Sequence, residues 1–183
     1  MRATVVTAAL ICFASFGWGM VRHFERAGKP KPGMLFVGLV APVFAGMHLF
    51  ALFTHPLARA GIALILYAAG LTVFWFAVAA TRGRGLAFCF QGHIPPMIIR
   101  TGPYRVIRHP FYTAYMLVWV AGFVVTGWWP LAAIAILMAS LYTYSARQEE
   151  AGLLRSAFGA EYRAYRRQAG AFLPRFLPRI KKR

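Results

Sequence analysis

The residues best suited to chemistry in this chain are two adjacent carboxylates and a histidine that precedes them. Only four residues are acidic, and two of these are the neighbours Glu149 and Glu150. His109 lies in RTGPYRVIRHPFY, residues 100–112, a segment with three arginines that leads directly into a long uncharged run. Carboxylates beside apolar segments require a cationic or hydroxyl-rich partner. These residue types predict a binding site for such a ligand.

The composition is that of an integral membrane protein. Of the 183 residues, 60% are hydrophobic and 16% are aromatic, which is more than a soluble domain of this length buries. A net charge of +17 would suit a nucleic-acid-binding domain, but the basic residues are excluded from long apolar blocks instead of covering one surface. We therefore predict that basic loops contact anionic lipids, and we predict no nucleic-acid partner.

Five apolar blocks predict an all-α integral membrane bundle with about five transmembrane helices. The blocks cover residues 4–21, 34–53, 60–80, 111–127 and 128–144. The last two are barely long enough for a hydrocarbon core of about 30 Å, so we expect them to extend into their flanks. A basic segment follows the first block where a signal peptide would have a small-residue cleavage site, and this favours a retained anchor.

The cysteines and histidines predict neither a disulfide nor a metal site. Cys12 and Cys89 have no second cysteine at a redox or zinc spacing. His48 and His55 are about two helical turns apart, but the THP motif at residues 54–56 predicts a turn that separates them.

The distribution of positive charge predicts the orientation in the membrane. Nineteen of the 21 Lys and Arg residues follow block one, lie between blocks three and four, or follow block five; only Arg2 and Arg59 lie elsewhere. The positive-inside tendency places the N-terminus outside, and residues 82–108 and the C-terminus in the cytoplasm. We assign the protein to a bacterial inner membrane.

The turn between the last two blocks places the histidine and the glutamates at one depth. TGWWP, residues 126–130, has a glycine that ends one helix and a proline suited to the first turn of the next, so the two blocks form an antiparallel hairpin. From Trp128, His109 lies 19 residues back and Glu149 lies 21 residues forward. An equal rise per residue brings His109, Glu149 and Glu150 to the same mouth of the hairpin.

Each of these charged residues, taken alone, also has a purely structural interpretation. Arg105, Arg108 and Arg147 also suit cations that snorkel to the lipid boundary, and the glutamate pair also suits a solvated turn. Taken together the residues favour a site, because adjacent acids beside anionic lipid heads are electrostatically costly and the chain uses acids almost nowhere else.

Residues 149–168 predict a cytoplasmic amphipathic helix with Gly159 as the place where it would break. Large apolar and aromatic side chains recur there at spacings of three and four, with arginines mostly on the other faces. The recurring residues are Leu154, Phe158, Tyr162 and Tyr165.

Two motifs resemble a known superfamily. TGPYRVIRHPFYTAYML, followed by EEAGLLRSAFGAEYRAYRRQAGAFLPRF, resembles the isoprenylcysteine carboxyl methyltransferases and phospholipid methyltransferases, which are integral membrane enzymes. The likeness runs from Ile98 to Pro174 and implies one domain, with N-terminal membrane helices at 1–95, a cofactor-binding part at 96–174 and a basic tail at 175–183. Ala114 departs from the family's usual glycine, which affects either the cofactor groove or a helix contact.

The resemblance implies S-adenosyl-L-methionine as cofactor and a lipophilic or prenylated substrate that comes from the bilayer. Carboxylates suit the ribose diol and the ammonium of this cofactor, and aromatic rings suit its adenine and sulfonium. Arg105, Arg108 and Arg147 are predicted to orient a substrate carboxylate. The resemblance implies that the cofactor pocket is formed by Met97, Ile98, Ile99, Tyr104, His109, Pro110, Phe111, Tyr112, Glu149 and Glu150.

The sequence leaves two possibilities for the atom that accepts the methyl group, a carboxylate oxygen or an amine nitrogen. A carboxylate is already nucleophilic near neutral pH, whereas an ammonium must first lose a proton, so we favour isoprenylcysteine-type carboxyl O-methylation over phosphatidylethanolamine N-methylation. NADPH-dependent membrane sterol reductases carry a related R-H-P-x-Y stretch, although Phe111 stands where they usually have asparagine. A non-enzymatic scaffold that binds lipid through its basic tail is the remaining alternative. The sequence indicates no particular oligomeric state.

Overall fold

The computed structural model describes residues 1–23, 32–83 and 98–175, and within these ranges the chain is helical, without a β-strand. A π-helical turn, Gly19–His23, follows the first helix, and a 3-10 turn, Gly102–Arg105, precedes the fourth. The α-helices are α1 Arg2–Trp18, α2 Pro32–Thr54, α3 Ala60–Thr81, α4 Pro110–Thr126, α5 Trp129–Arg155 and α6 Gly159–Gln168.

The lengths of these helices confirm an all-α membrane bundle. Among the described residues, four stretches are long and apolar enough to span a bilayer, namely Arg2–His23, Val37–Thr54, Ala60–Thr81 and Trp129–Arg155. The fifth predicted span, α4, is a shorter apolar helix of 17 residues. At about 1.5 Å per residue it measures about 26 Å, slightly less than a hydrocarbon core of about 30 Å.

α4 and α5 form the predicted hairpin, and α3 packs closely on α4. Gly127 ends α4 with a φ of 63°, a conformation that glycine adopts without steric cost. A Cβ on Gly70 of α3 would lie 3.1 Å from the backbone oxygen of Ala114, which shows that the two helices approach closely at that crossing. Ala114 is fully buried beside Phe74. Its methyl group therefore fills a helix contact.

His48 lies in the core of the bundle, away from the chemistry predicted for His109. Its Nε2 is 2.7 Å from the Tyr67 hydroxyl, and its ring meets Phe13 edge-on with centroids 5.1 Å apart. The imidazole also lies against Gly122 of α4, where no larger residue fits without a shift. This histidine therefore connects four helices.

The predicted amphipathic helix is confirmed over Gly159–Gln168, as α6, but its start at Glu149 was wrong, because α5 continues to Arg155 and the chain breaks only then. Nothing between the fifth apolar block and the glutamates disfavours a helix, so the span simply extends. The break comes at Ser156, whose hydroxyl donates to the carbonyl of Leu153 at 2.7 Å and accepts from the N–H of Phe158 at 3.2 Å. Glu149 and Glu150 therefore lie on the fifth helix, and α6 is a separate short helix.

Candidate active site

A polar cluster lies at the end of the bundle where α4 begins and α5 ends, and its central residues are His109, Glu149 and Glu150. His109 is the residue before α4, with φ −123° and ψ 63°, because the residue before a proline avoids the helical conformation. Pro110 then occupies the first turn, where its missing N–H costs nothing. His109 is buried, and this local geometry turns it toward the last turns of α5.

The structure brings His109, Glu149 and Glu150 together. His109 Nε2 is 3.1 Å from Glu150 Oε1, and His109 Nδ1 is 3.6 Å from Glu149 Oε2. The imidazole thus lies between two carboxylates, and a ring held in this way has its orientation fixed on both sides.

Glu150 is paired with cations from two further elements. Arg108 Nε donates to its Oε1 at 2.8 Å, and Arg166 Nε of α6 is 3.3 Å from its Oε2. The Glu150 side chain is only 12% exposed. Burial is the main cause that raises the pKa of Tyr162 on α6, and the nearby Glu150 carboxylate raises it further. The Tyr162 phenol is therefore neutral. Arg108 and Arg166 thus balance the charge of the buried Glu150 carboxylate within the protein.

Glu149 has a different environment, although it is the adjacent residue. Its Oε1 accepts hydrogen bonds from the Tyr112 hydroxyl and, at 3.2 Å, from Ser145 Oγ. Its side chain is 33% exposed, which is more than the 12% of Glu150. The Glu149 side chain is therefore partly accessible from outside the protein, unlike that of Glu150.

Aromatic rings form a stack that begins at His109. The rings of His109 and Tyr112 are nearly parallel, with centroids 5.7 Å apart and an angle of 17°. Tyr112 stacks in turn on Tyr142 of α5 at 5.3 Å and 11°. Phe172 packs against His109 from another side at 5.8 Å. The stack holds the Tyr112 hydroxyl in place beside Glu149.

The segment after α6, residues 169–173, pairs with the chain just before α4. Arg108 N–H donates to Gly170 O at 2.8 Å, and His109 N–H donates to Ala171 O at 3.1 Å. Thr113 Oγ1 donates to Phe172 O at 2.9 Å. We call residues 169–173 the C-terminal strap, and it holds the backbone of the predicted site from outside the helical hairpin.

Among the remaining residues of the predicted cofactor set, Ile99, Tyr104 and Phe111 are buried. Burial raises the pKa of Tyr104, whose carbonyl accepts a hydrogen bond from Tyr165 at 2.6 Å. Phe111 and Ile99 are buried in the cluster around Phe74, and Ile98 packs against the tyrosines of α6. Met97 lies outside the described residues.

The three arginines predicted to orient a substrate fall in three different environments. Arg108 is engaged by Glu150, by the carbonyl of Arg166 at 3.4 Å and by that of Ala169. Arg105 is exposed. Arg147 is exposed on a face of α5 that it shares with Ser140 and Thr143, along a groove of about 420 Å³. Of these three arginines, only Arg108 contacts a glutamate, namely Glu150.

Several members of the cluster were absent from the sequence prediction. Ser145 lies one helical turn before Glu149 and contacts it. This i, i+4 spacing would have predicted the contact if the fifth predicted helix had been extended to Glu149. Arg166 and the strap carried no comparable signal, because their contacts join parts of the chain that are far apart in sequence.

The fold and the cluster are those of a membrane-embedded protein with a polar site at one end of its bundle. The family model for phospholipid methyltransferases matches residues 57–161, more than half of the chain, and the chain belongs to this family. The family is part of the superfamily that includes the isoprenylcysteine carboxyl methyltransferases, so the resemblance is confirmed. The protein is an integral membrane methyltransferase. No curated protein matches the chain.

Proposed function

We propose that the protein transfers a methyl group from S-adenosyl-L-methionine to a lipophilic acceptor that reaches the site from the bilayer. The observation that supports this most is the His109–Glu149–Glu150 cluster at the end of an apolar hairpin, inside the family match. A water-soluble cofactor and a membrane-dissolved acceptor have to meet at such a boundary.

The residues present fit this cofactor. When bound, it supplies an electrophilic methyl group on a sulfonium. Glu149, whose side chain is partly exposed, would accept hydrogen bonds from its hydroxyl or ammonium groups. The stacked rings of His109 and Tyr112 would hold in place the groups that face this carboxylate. The protein's own contribution would be to orient the reactants and exclude water, because methyl transfer needs alignment more than acid–base chemistry.

For the acceptor, we propose an isoprenylcysteine-type carboxylate. Arg105 and Arg147 are exposed cations near the same end of the bundle and would attract an acidic head group. Such an acceptor needs no deprotonation before it attacks. Phosphatidylethanolamine is the second candidate, favoured by the phospholipid acceptors for which the matched family is named. Its ammonium would need a base, and His109 is the imidazole at the cluster.

We further propose that the His109 end of the bundle faces the cytoplasm of a bacterial cell and that the N-terminus lies outside. The excess of basic residues in the segments at this end supports the orientation. Exposed arginines of α6, including Arg163 and Arg167, would then contact anionic lipids of the inner leaflet.

The experiment that tests the function is calorimetric titration of the detergent-purified protein with S-adenosylhomocysteine and, separately, with NADPH. Binding of the first alone supports the proposal, binding of NADPH alone supports a reductase, and binding of neither supports a scaffold. His109→Ala and Glu149→Gln, which alter the two residues proposed to face the cofactor, should each weaken S-adenosylhomocysteine binding by about ten- to hundredfold, the value of a hydrogen bond to a charged group. Unchanged affinity in both variants would exclude this site.

Labelled S-adenosylmethionine then separates the acceptors. Transfer of label to a prenylcysteine analogue supports the carboxylate proposal, and transfer to phosphatidylethanolamine supports the second candidate. Deletion of residues 176–183 should preserve turnover, whereas deletion of residues 169–183 should reduce it, because only the longer deletion removes the contacts of the strap with Arg108 and His109. Full turnover after the longer deletion would show that the strap does not support the site.

A further inference from the structure

α6 supplies one cation directly to the buried carboxylate of the site. Arg166 Nε is 3.3 Å from Glu150 Oε2, whereas Arg108 Nε and His109 Nε2 both contact the other oxygen, Oε1, at 2.8 Å and 3.1 Å. The two carboxylate oxygens are thus engaged by cations from different parts of the chain. Arg166 lies beyond the family match, which ends at residue 161.

This arrangement fixes the plane of the carboxylate. A buried carboxylate with partners on one oxygen only can still rotate about its last side-chain bond, whereas a guanidinium on each oxygen holds both. The position of Oε1 decides where His109 Nε2 points, and therefore how His109 Nδ1 faces Glu149 at 3.6 Å. A displacement at Arg166 would reach the imidazole through Glu150.

We propose that Arg166 is a positioning residue of this site, acting through Glu150 on the orientation of His109. The inference rests on the proposed function, in which His109 and Glu149 face the cofactor. A second contact connects the same elements, because Arg108 donates to the carbonyls of Arg166 and Ala169 at the end of α6. On this proposal, α6 is a functional part of the site as well as a basic helix at the membrane surface.

The test compares two neighbouring arginines. Arg166→Gln and Arg167→Gln remove the same charge from the same helix, but only Arg166 contacts Glu150. We expect Arg166→Gln to weaken S-adenosylhomocysteine binding by about three- to tenfold, a moderate loss because its side chain is 43% exposed and Arg108 stays in place. Arg167→Gln should change the affinity by less than about twofold. Equal effects of the two variants would overturn the proposal.

A double-mutant cycle tests the route through Glu150. In a Glu150→Gln background, Arg166→Gln should have less than about a twofold further effect, because the carboxylate through which it acts is already gone. If the two substitutions act independently, so that their fold-changes in affinity multiply in the double variant, the proposal is overturned.

NMR of histidine ¹⁵N in ligand-free protein provides a readout that needs no cofactor. The His109 signal, assigned with His109→Ala, should shift in Arg166→Gln and stay in place in Arg167→Gln. An unshifted signal in Arg166→Gln would refute the positioning role. A shifted signal in a protein that binds no S-adenosylhomocysteine would instead refute the proposed function and leave the positioning contact intact.

Discussion

Replacing Tyr112 with phenylalanine removes one hydroxyl from the site and keeps the ring that stacks between His109 and Tyr142. That hydroxyl donates to Glu149 Oε1 and lies 2.9 Å from Ser145 Oγ. A hydrogen bond to a charged group contributes about 1.5–3 kcal/mol. We expect the lower end, about 1.5 kcal/mol, because Ser145 still donates to Glu149 and the 33% exposed side chain can recruit water.

Thermal unfolding of the ligand-free protein in detergent measures this loss. For a chain of this size, 1.5 kcal/mol corresponds to a decrease of about 3–6 °C in Tm. Tyr144→Phe is the matched control, because Tyr144 is exposed on another face of α5 and loses the same atom. A Tm for Tyr112→Phe within about 1 °C of the wild type, or an equal decrease in Tyr144→Phe, would refute the assigned hydrogen bond.

Two further predictions concern the packing of the helices and their orientation in the membrane. Gly122→Ala should destabilise the protein by about 1–3 kcal/mol, because the new methyl would lie 2.6 Å from the nitrogens of the His48 ring. Gly46→Ala, where a Cβ meets nothing within 4 Å, is the control, and equal Tm values for both variants would contradict this packing. For orientation, a cysteine at Trp128 should react with an impermeant label from outside and one at Arg100 only from the cytoplasm; the reverse pattern would exclude a cytoplasmic site.

The hairpin and the meeting of His109 with the glutamates could be predicted because both depend on local rules. A glycine and a proline in TGWWP define the turn, and a constant rise per residue fixes the depth of each arm. The contact of His109 with Glu150 at 3.1 Å agrees with that count. No information about the rest of the bundle was needed for this step.

The roles of individual side chains could not be predicted in the same way. Placing a helix start at Glu149 concealed the periodicity of α5, on which Ser145 and Glu149 share one face while Arg147, two residues away, points elsewhere. The engagement of Arg108 by Arg166 and Ala169 depends on how α6 packs, which no local pattern specifies. Tertiary contacts thus decided which cations meet the carboxylates.

The unequal surroundings of the two glutamates follow from their adjacency on one helix. Consecutive helical residues point about 100° apart, so Glu149 is directed at Tyr112 on α4 while Glu150 is directed at Arg108 and at Arg166 on α6. Neutralising Glu150 should therefore loosen the attachment of α6, whereas neutralising Glu149 should leave α6 in place. Because the end of α5 is one continuous helix, the same turn carries one partly exposed carboxylate and one that is paired with α6.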